Sequence, residues 1–279
     1  MPFVKSRKDF YKYVSRAIGP VELGRAIFTK GSAITGAVPG LNMFPGLSCN
    51  PAAGCNPLCE AFRPERACFG LKSLIWPEVR AAWLKNYVSF SERPGQFCRD
   101  ALAGIRDLSS ASGLFRWLNV GGVPGIAFLR DLVWPAAVYR PDLKFLLYSK
   151  RYTWIAYMVA RFGRPDNLAL YLSSWPGLEL FNPYRLPVAW YYDPADPDPR
   201  IEAARSSGRA IVECPGRCAA DRKSFPVCRL CYVNRDKDLL FHEHTSSAKD
   251  KGGQQREKYL ARSSGGSSSR TRGRAATAI

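Results

Sequence analysis

The chain has 279 residues, of which 46% are hydrophobic, and a formal net charge of +18. That length can bury one large core or two smaller ones. The basic residues at the start are not followed by an apolar run, so no signal peptide is expected. The most apolar window, residues 127–138, is too short to span a membrane and contains Arg130 and Asp131. The sequence predicts a cytoplasmic protein with no membrane partner and excludes a secreted disulfide scaffold.

The charge is only partly concentrated at one end. From Ser246 onward the chain carries 8 basic and 2 acidic residues, in a stretch rich in Ser, Gly and Arg. Such a composition cannot offset the entropy of ordering, so residues 246–279 are predicted to be a disordered basic tail. The remaining positive charge belongs to residues 1–245. It favours a nucleic-acid partner, although a high pI alone is also compatible with a well-solvated protein that binds none.

Apolar patterns in the middle of the chain alternate between helical and strand types. Pro77 suits the first turn of a helix, and Val79, Trp83 and Tyr87 then fall on one face. Further helices are predicted over residues 96–108, 125–139, 153–162 and 200–206, and strands over residues 114–120, 143–149, 168–174, 187–193 and 209–214.

This alternation predicts an α/β fold, an open or partial βα barrel with a mostly parallel sheet. The predicted domains are a basic extension (1–27), the partial barrel (28–213), a cysteine-rich metal-binding segment (214–245) and the disordered tail. In a parallel sheet the functional loops lie at the carboxyl ends of the strands. We expect that edge to hold both groups of cysteines described below, together with Gly121 and Gly122, Ser149 to Arg151, and Ser173 and Ser174.

The C-terminal cysteines form two close pairs, C-x3-C and C-x2-C. In a reducing cytosol, clustered cysteines are metal ligands more often than disulfides. Four thiolates suit zinc or a four-cysteine iron–sulfur cluster, and the neighbouring Arg222 and Lys223 would offset their charge. The alternative is a set of ordinary buried cysteines. The predicted ligands are Cys214, Cys218, Cys228 and Cys231.

An N-terminal loop contributes Cys49, Cys55 and Cys59. Three thiolates leave one coordination position open for a substrate or cofactor, whereas a fourth ligand from Cys68 would close the site. Both arrangements fit the sequence. A lone Cys98 in a helical stretch is predicted to be a buried apolar residue. The pair His242 and His244 is predicted to belong to a terminal strand without a metal.

The order of these features resembles the phage- and plasmid-borne gene product 88 family. The likeness rests on the Gly/Pro-rich entry with its cysteine loop, the helical residues 80–86, the strands at 115–120 and 145–150, and the closing stretch 214–244. It covers residues 28–244, and the order of the motifs carries it more than any single one.

A weaker likeness is to radical S-adenosylmethionine enzymes, which place a three-cysteine loop after the first strand of a partial barrel. In those enzymes a Gly-Gly-Glu-Pro-like motif follows the second strand, and here Gly121 and Gly122 stand at that place as cofactor-binding candidates. This chain departs from that pattern in its C-x5-C-x3-C spacing and in Val123, which replaces the glutamate. The likeness implies an iron–sulfur cluster and makes S-adenosylmethionine a candidate cofactor.

Three functions remain open on the sequence. The first is a metal or iron–sulfur cluster protein of radical-SAM-like architecture, with no reaction assigned and enzymatic activity undecided. The second is a zinc-stabilised nucleic-acid-binding protein serving phage or plasmid replication, with Lys150, Arg151, Arg222, Lys223 and the tail on phosphates. The third is an α/β protein whose cysteines are partly core.

Overall fold

Helices and strands alternate along the chain, as the sequence predicts. The structure, a computed structural model, describes residues 10, 23–31, 37–60, 69–194, 196–215 and 228–242. The helices are α1 (Phe69–Lys72), α2 (Pro77–Glu92), α3 (Pro94–Arg106), α4 (Ile126–Phe128), α5 (Trp134–Tyr139), α6 (Tyr152–Phe162), α7 (Pro199–Ser206) and α8 (Leu230–Val233). A 3-10 turn covers Ser73–Ile75, and a π-helical turn, Leu129–Val133, joins α4 to α5.

Eight strands form one sheet. They are β1 (Phe28–Thr29), β2 (Gly40–Leu41), β3 (Leu114–Trp117), β4 (Lys144–Ser149), β5 (Leu168–Ser173), β6 (Val188–Tyr192), β7 (Ile211–Glu213) and β8 (Asp238–His242). Their order is β1-β2-β3-β4-β5-β6-β8-β7, and only the β1–β2 pair is antiparallel. The predicted α/β class with a mostly parallel sheet is confirmed.

Both faces of this sheet are buried, as parallel strands require. One face packs against α3 to α6, and its strands contribute Phe115, Trp117, Phe145, Leu147 and Leu170 to the largest core cluster. The opposite face packs against α8 through a second set: Leu114, Leu146, Ala169, Tyr171, Ala189, Cys231, Tyr232 and Leu239. Successive residues of β4 thus alternate between two cores, which explains the uniform apolar run there.

Strand β3 is shorter than the sequence predicts. It ends at Trp117, because Leu118 takes a left-handed backbone conformation with φ of 51°. Such a conformation turns the chain out of the sheet. The residues that follow leave the strand direction and approach the loop after β2, where Val120 N–H donates to Asn42 Oδ1 at 2.9 Å.

The described residues belong to one compact unit that ends at His242. The boundaries predicted at residues 27, 213 and 245 stay predictions, and the predicted tail lies outside the described residues. Within the described ranges, no helix has both the length and the apolar character needed to cross a bilayer.

A buried carboxylate fixes the pairing of the last strands. The Asp238 side chain has no solvent exposure and accepts hydrogen bonds from Val188 N–H and Trp190 Nε1–H, both at 2.8 Å. Arg209 binds it with two nitrogens, at 2.6 and 2.9 Å. Two donors from β6 and two from Arg209, which precedes β7, therefore converge on the first residue of β8.

We predict that Asp238→Ala lowers the free energy of unfolding by about 3–5 kcal/mol, because it leaves Arg209 and two buried donors unpaired. Denaturant unfolding of the purified variant measures the change. The control is Glu202→Ala on α7, whose exposed pair with Arg205 contributes about 0–1 kcal/mol. Equal, small losses in both variants would contradict this account of the strand pairing.

Candidate functional site at the carboxyl edge of the sheet

The carboxyl ends of the parallel strands meet at one edge, where the irregular segments of the chain collect. The loop after β2 contacts the glycine pair after β3 and the Lys150–Arg151 pair after β4. Ser173 follows at the end of β5, where its hydroxyl accepts a hydrogen bond from Lys150 Nζ at 2.9 Å. The structure brings these residues to one edge, and Cys214 directly follows the end of β7. That both cysteine groups lie there stays a prediction, since Cys218 is outside the described residues.

The loop that carries the first three cysteines is built on two Asn-Pro turns. Asn50 and Asn56 each follow a cysteine and precede a proline, and each side-chain oxygen accepts an N–H from two residues further along, at 3.1 and 3.0 Å. The Asn56 amide also donates to the carbonyls of Gly46 and Asn50, at 3.1 and 3.2 Å. These bonds satisfy backbone groups that have no partner in a helix or sheet.

The loop docks on the glycine pair at very short range. A Cβ atom at Gly121 would lie 2.5 Å from the Met43 carbonyl oxygen, and one at Gly122 would lie 2.9 Å from Cys49 Cα. Gly121 also has a φ of 83°, which glycine adopts readily. Gly122 N–H donates to Ser48 Oγ at 3.0 Å, and that hydroxyl donates to the Phe44 carbonyl at 2.8 Å. The cysteine loop thus packs directly against the backbone of this glycine pair.

A buried amide of α2 anchors the same region from the side. The Asn86 side chain donates to the carbonyls of Ile27 and Asn42, both at 2.9 Å, and accepts Ile27 N–H at 2.8 Å. Asn42 in turn accepts Val120 N–H. Two asparagines therefore connect the segment before β1, the end of β2 and the segment after β3.

Arg151 contacts the cysteine loop directly. Its Nη2 donates to the Cys49 carbonyl oxygen at 3.0 Å, and its guanidinium lies 4.6 Å from the ring centroid of Trp154. Burial lowers the pKa of Arg151, while the nearby Cys49 thiol acts in the opposite direction. Cys49 Sγ accepts Gly46 N–H at 3.4 Å. A cation and an N–H group therefore stand where a thiolate at Cys49 would be stabilised.

The thiols of this loop differ in surroundings. Cys55 is buried and lies within electrostatic range of Tyr152, whereas Cys49 and Cys59 are partly exposed. Thiolate sulfurs are suitable ligands for zinc or for an iron–sulfur cluster. Nevertheless, among the residues that the structure describes, no three Cys, His, Asp or Glu side chains form a group that could hold a metal ion. One loop brings the three cysteines to the edge but does not gather their sulfurs into a ligand set.

Among the C-terminal cysteines, Cys231 lies on the opposite face of the sheet. Cys231 is buried in the α8 core, and its thiol lies beside the Tyr148 hydroxyl, which is also within electrostatic range of Cys214. Burial, followed by these thiols, raises the pKa of Tyr148. Burial also raises the pKa of Cys228, which the N–H of Leu230 partly offsets. Cys214 and Cys231 are therefore brought to one tyrosine from distant positions in the chain.

Several predicted residues cannot be placed in this site. Cys68, Cys218, Arg222, Lys223 and His244 lie outside the described residues. Cys98 is buried in the core between α3 and the sheet, as predicted, and burial raises its pKa to about 12. His242 is the last residue of β8, and its ring hydrogen-bonds the Glu213 carboxylate at the end of β7. The histidine therefore lies in a strand and has a hydrogen-bond partner there.

The chain matches a known family over more than half of its length. Residues 22–177 match the gene product 88 family, a span that holds the first cysteine loop, the glycine pair and Lys150–Arg151. The chain belongs to the gene product 88 family. The C-terminal cysteines lie beyond the matched region of this gene product 88 protein. No curated protein and no solved structure shows a significant match, so the likeness to radical S-adenosylmethionine enzymes is unsupported.

Sequence reasoning missed the asparagines and aromatic residues of the site. The repeated Cys-Asn-Pro triplet in residues 49–57 was a readable signal for Asn50 and Asn56, because Asn before Pro favours a turn. Trp175 and Tyr191 carried no such signal. Their rings come together only when β5 and β6 pair, with centroids 4.5 Å apart.

We predict that Gly121→Ala lowers the free energy of unfolding by about 1–3 kcal/mol more than Gly163→Ala does. Both glycines have positive φ, 83° and 69°, but only the Gly121 Cβ meets other atoms, so the difference isolates the steric term. Denaturant unfolding measures the stabilities, and the alkylation rate of buried Cys55 reports undocking of the loop. Identical losses in the two variants would show that the loop does not need this contact.

Proposed function

We propose that this gene product 88 protein binds a metal ion or an iron–sulfur cluster through Cys49, Cys55 and Cys59. The observation that supports the proposal is the docking of their loop on Gly121–Gly122 and Arg151, at the carboxyl edge of the sheet. Loops at that edge are the usual sites of ligand binding in parallel α/β proteins. The reaction, if the protein is an enzyme, stays unassigned.

A partial βα barrel is the proposed architecture. In its support, the strands from β1 to β6 lie side by side in chain order, and α3 to α6 pack on one face. In such an arrangement the cysteine loop follows the first strand of the parallel series, β2, and the glycine pair follows the second, β3. S-adenosylmethionine remains a prediction from the sequence alone.

Metal binding in this loop requires the thiolates to move together. The described sulfurs do not form a ligand group, so the metal would supply the energy that gathers them, as it does in metal-coupled folding. Arg151 and the Gly46 N–H would reduce the repulsion among the thiolates. A bound cluster would supply electron-transfer or Lewis-acid chemistry, whereas zinc would serve the fold.

A second metal site is proposed at Cys214, Cys218, Cys228 and Cys231. It is favoured by the approach of Cys214 and Cys231 to Tyr148, and by the Leu230 N–H that supports the Cys228 sulfur. Hydrogen bonds of this kind to sulfur stabilise ligating thiolates. A site there would tie the end of β7 to α8 and stabilise the C-terminal part of the sheet.

The first metal site is tested by replacing one loop thiol. Protein purified without oxygen should contain iron and sulfide if a cluster is bound, or zinc and no colour if the site is structural. We predict that Cys49→Ser lowers the metal content of the whole chain by the share bound in this loop, because two thiolates hold a metal poorly. Elemental analysis and the visible spectrum measure the change.

The control is Cys98→Ala, which removes a thiol from the core and should leave the metal content unchanged. Wild-type protein that holds no metal after anaerobic purification, or a Cys49→Ser variant with full metal content, would eliminate this loop as a metal site.

The second site is tested separately by Cys228→Ser. We expect a lower melting temperature and the loss of the metal fraction that Cys49→Ser retains, because a structural metal contributes directly to folding. Differential scanning calorimetry with metal analysis measures both. Unchanged melting together with unchanged metal content would remove the C-terminal cysteines from the proposal.

A further inference from the structure

Two neighbouring cations at the carboxyl edge have no acidic partner among the described residues. Lys150 and Arg151 are both partly buried, and no carboxylate of the described chain lies within ion-pair distance of either. Lys150 Nζ contacts the Ser173 hydroxyl and the Trp175 ring, whose centroid is 5.2 Å away. Arg151 contacts the Cys49 carbonyl and the Trp154 ring.

Two other partly buried arginines are neutralised by carboxylates. Arg200 is paired with Asp198 and Arg209 with Asp238, each at 2.6 Å. The carboxyl edge differs from these two sites, because it holds two adjacent positive charges with no carboxylate of the described residues in ion-pair range. Partly desolvated charges of this kind favour an anionic ligand.

Helix α6 adds to the positive electrostatic potential at this edge. It starts at Tyr152, directly after the two cations, and its first turn contains no acidic residue. The N-terminal end of a helix carries a partial positive charge and unpaired N–H groups. The start of α6 thus adds positive potential beside the two side chains. All three groups favour a phosphate-bearing ligand.

Aromatic rings adjoin the cations on the neighbouring strands. Trp175 lies after β5 beside the Lys150 ammonium, and its ring is 4.5 Å from that of Tyr191 on β6, with an interplanar angle of 36°. Both rings are partly exposed. A cation, a tryptophan and a tyrosine therefore follow one another across β4, β5 and β6.

We propose that single-stranded nucleic acid binds across this edge, with phosphates on Lys150 and Arg151 and a base against Trp175 and Tyr191. Sequence-tolerant single-strand binding combines backbone-tracking cations with aromatic stacking surfaces, which are the two elements found here. Bases in a duplex are stacked on one another and cannot reach such rings. The proposal goes beyond metal binding and requires no metal, so its failure would leave the metal sites untouched.

The test measures binding of a fluorescent single-stranded oligonucleotide by anisotropy over a range of salt concentrations, with the full chain. We expect Trp175→Ala to weaken binding by about 5- to 150-fold, the range for one stacked base. Trp175→Phe, which keeps a stacking ring, should recover much of the affinity. Lys150→Gln should reduce the slope of log K against log salt by about 0.7, the value for one phosphate contact on a single strand.

Matched controls remove the same groups elsewhere. Lys144→Gln takes an exposed lysine from the opposite end of the same strand, and Phe162→Ala takes an exposed ring from the far end of α6. Both should bind as the unmodified protein does. Wild-type affinity in the Trp175→Ala and Lys150→Gln variants, or equal weakening in the controls, would overturn the proposal, since binding would then come from diffuse positive charge.

A competition experiment distinguishes a nucleic-acid polymer from a free nucleotide as the ligand of this edge. A mononucleotide offers one base and one phosphate group, so at equal nucleotide concentration it should fail to displace the oligonucleotide. Full displacement by the mononucleotide would overturn the polymer proposal and assign the edge to a small ligand. Preference for duplex of the same sequence would overturn it as well, because stacking on Trp175 would then have no role.

Discussion

Buried backbone groups must find hydrogen-bond partners, and at the carboxyl edge of this sheet asparagine side chains provide them. The segments that meet there belong to no helix or strand, so their N–H and C=O groups have no ladder to join. Three buried asparagines, Asn42, Asn56 and Asn86, hydrogen-bond through their side chains to backbone atoms of neighbouring segments. Without these amides, several polar groups would be left unsatisfied, at a cost of about 1–3 kcal/mol each.

The same hydrogen bonds fix the position of the cysteine loop at this edge. Because the asparagines hold the cysteine loop against Gly121 and Gly122, the loop cannot shift without breaking several bonds together. The cysteine loop after β2, the two cations after β4 and the rings of Trp175 and Tyr191 are then found at the same edge of the sheet. Metal binding and nucleic-acid binding, although proposed independently, would therefore involve the same edge of the sheet.

Much of the fold was readable from the sequence, because hydrophobic periodicity is local. Pro77 begins α2 as predicted, and the strands at 144–149 and 168–173 follow their apolar runs closely. The edge of the sheet was also predictable, since topology alone sends parallel strands the same way. Long-range pairings were not. Nothing local shows that Asn86 binds Ile27, that Trp175 meets Tyr191, or that Leu118 takes positive φ and shortens β3.

Strand order has a consequence for how this protein acquires its structure. Strand β8 is inserted between β6 and β7, so β7 touches the sheet only through a strand formed about twenty-five residues later in the chain. During synthesis β7 must wait for β8, with Arg209 and the end of β6 lacking the Asp238 carboxylate until then. Such non-local closure is slow and leaves strand edges exposed in the meantime. One edge of β6 and the whole of β7 are thus unpaired on the nascent chain until β8 has been made.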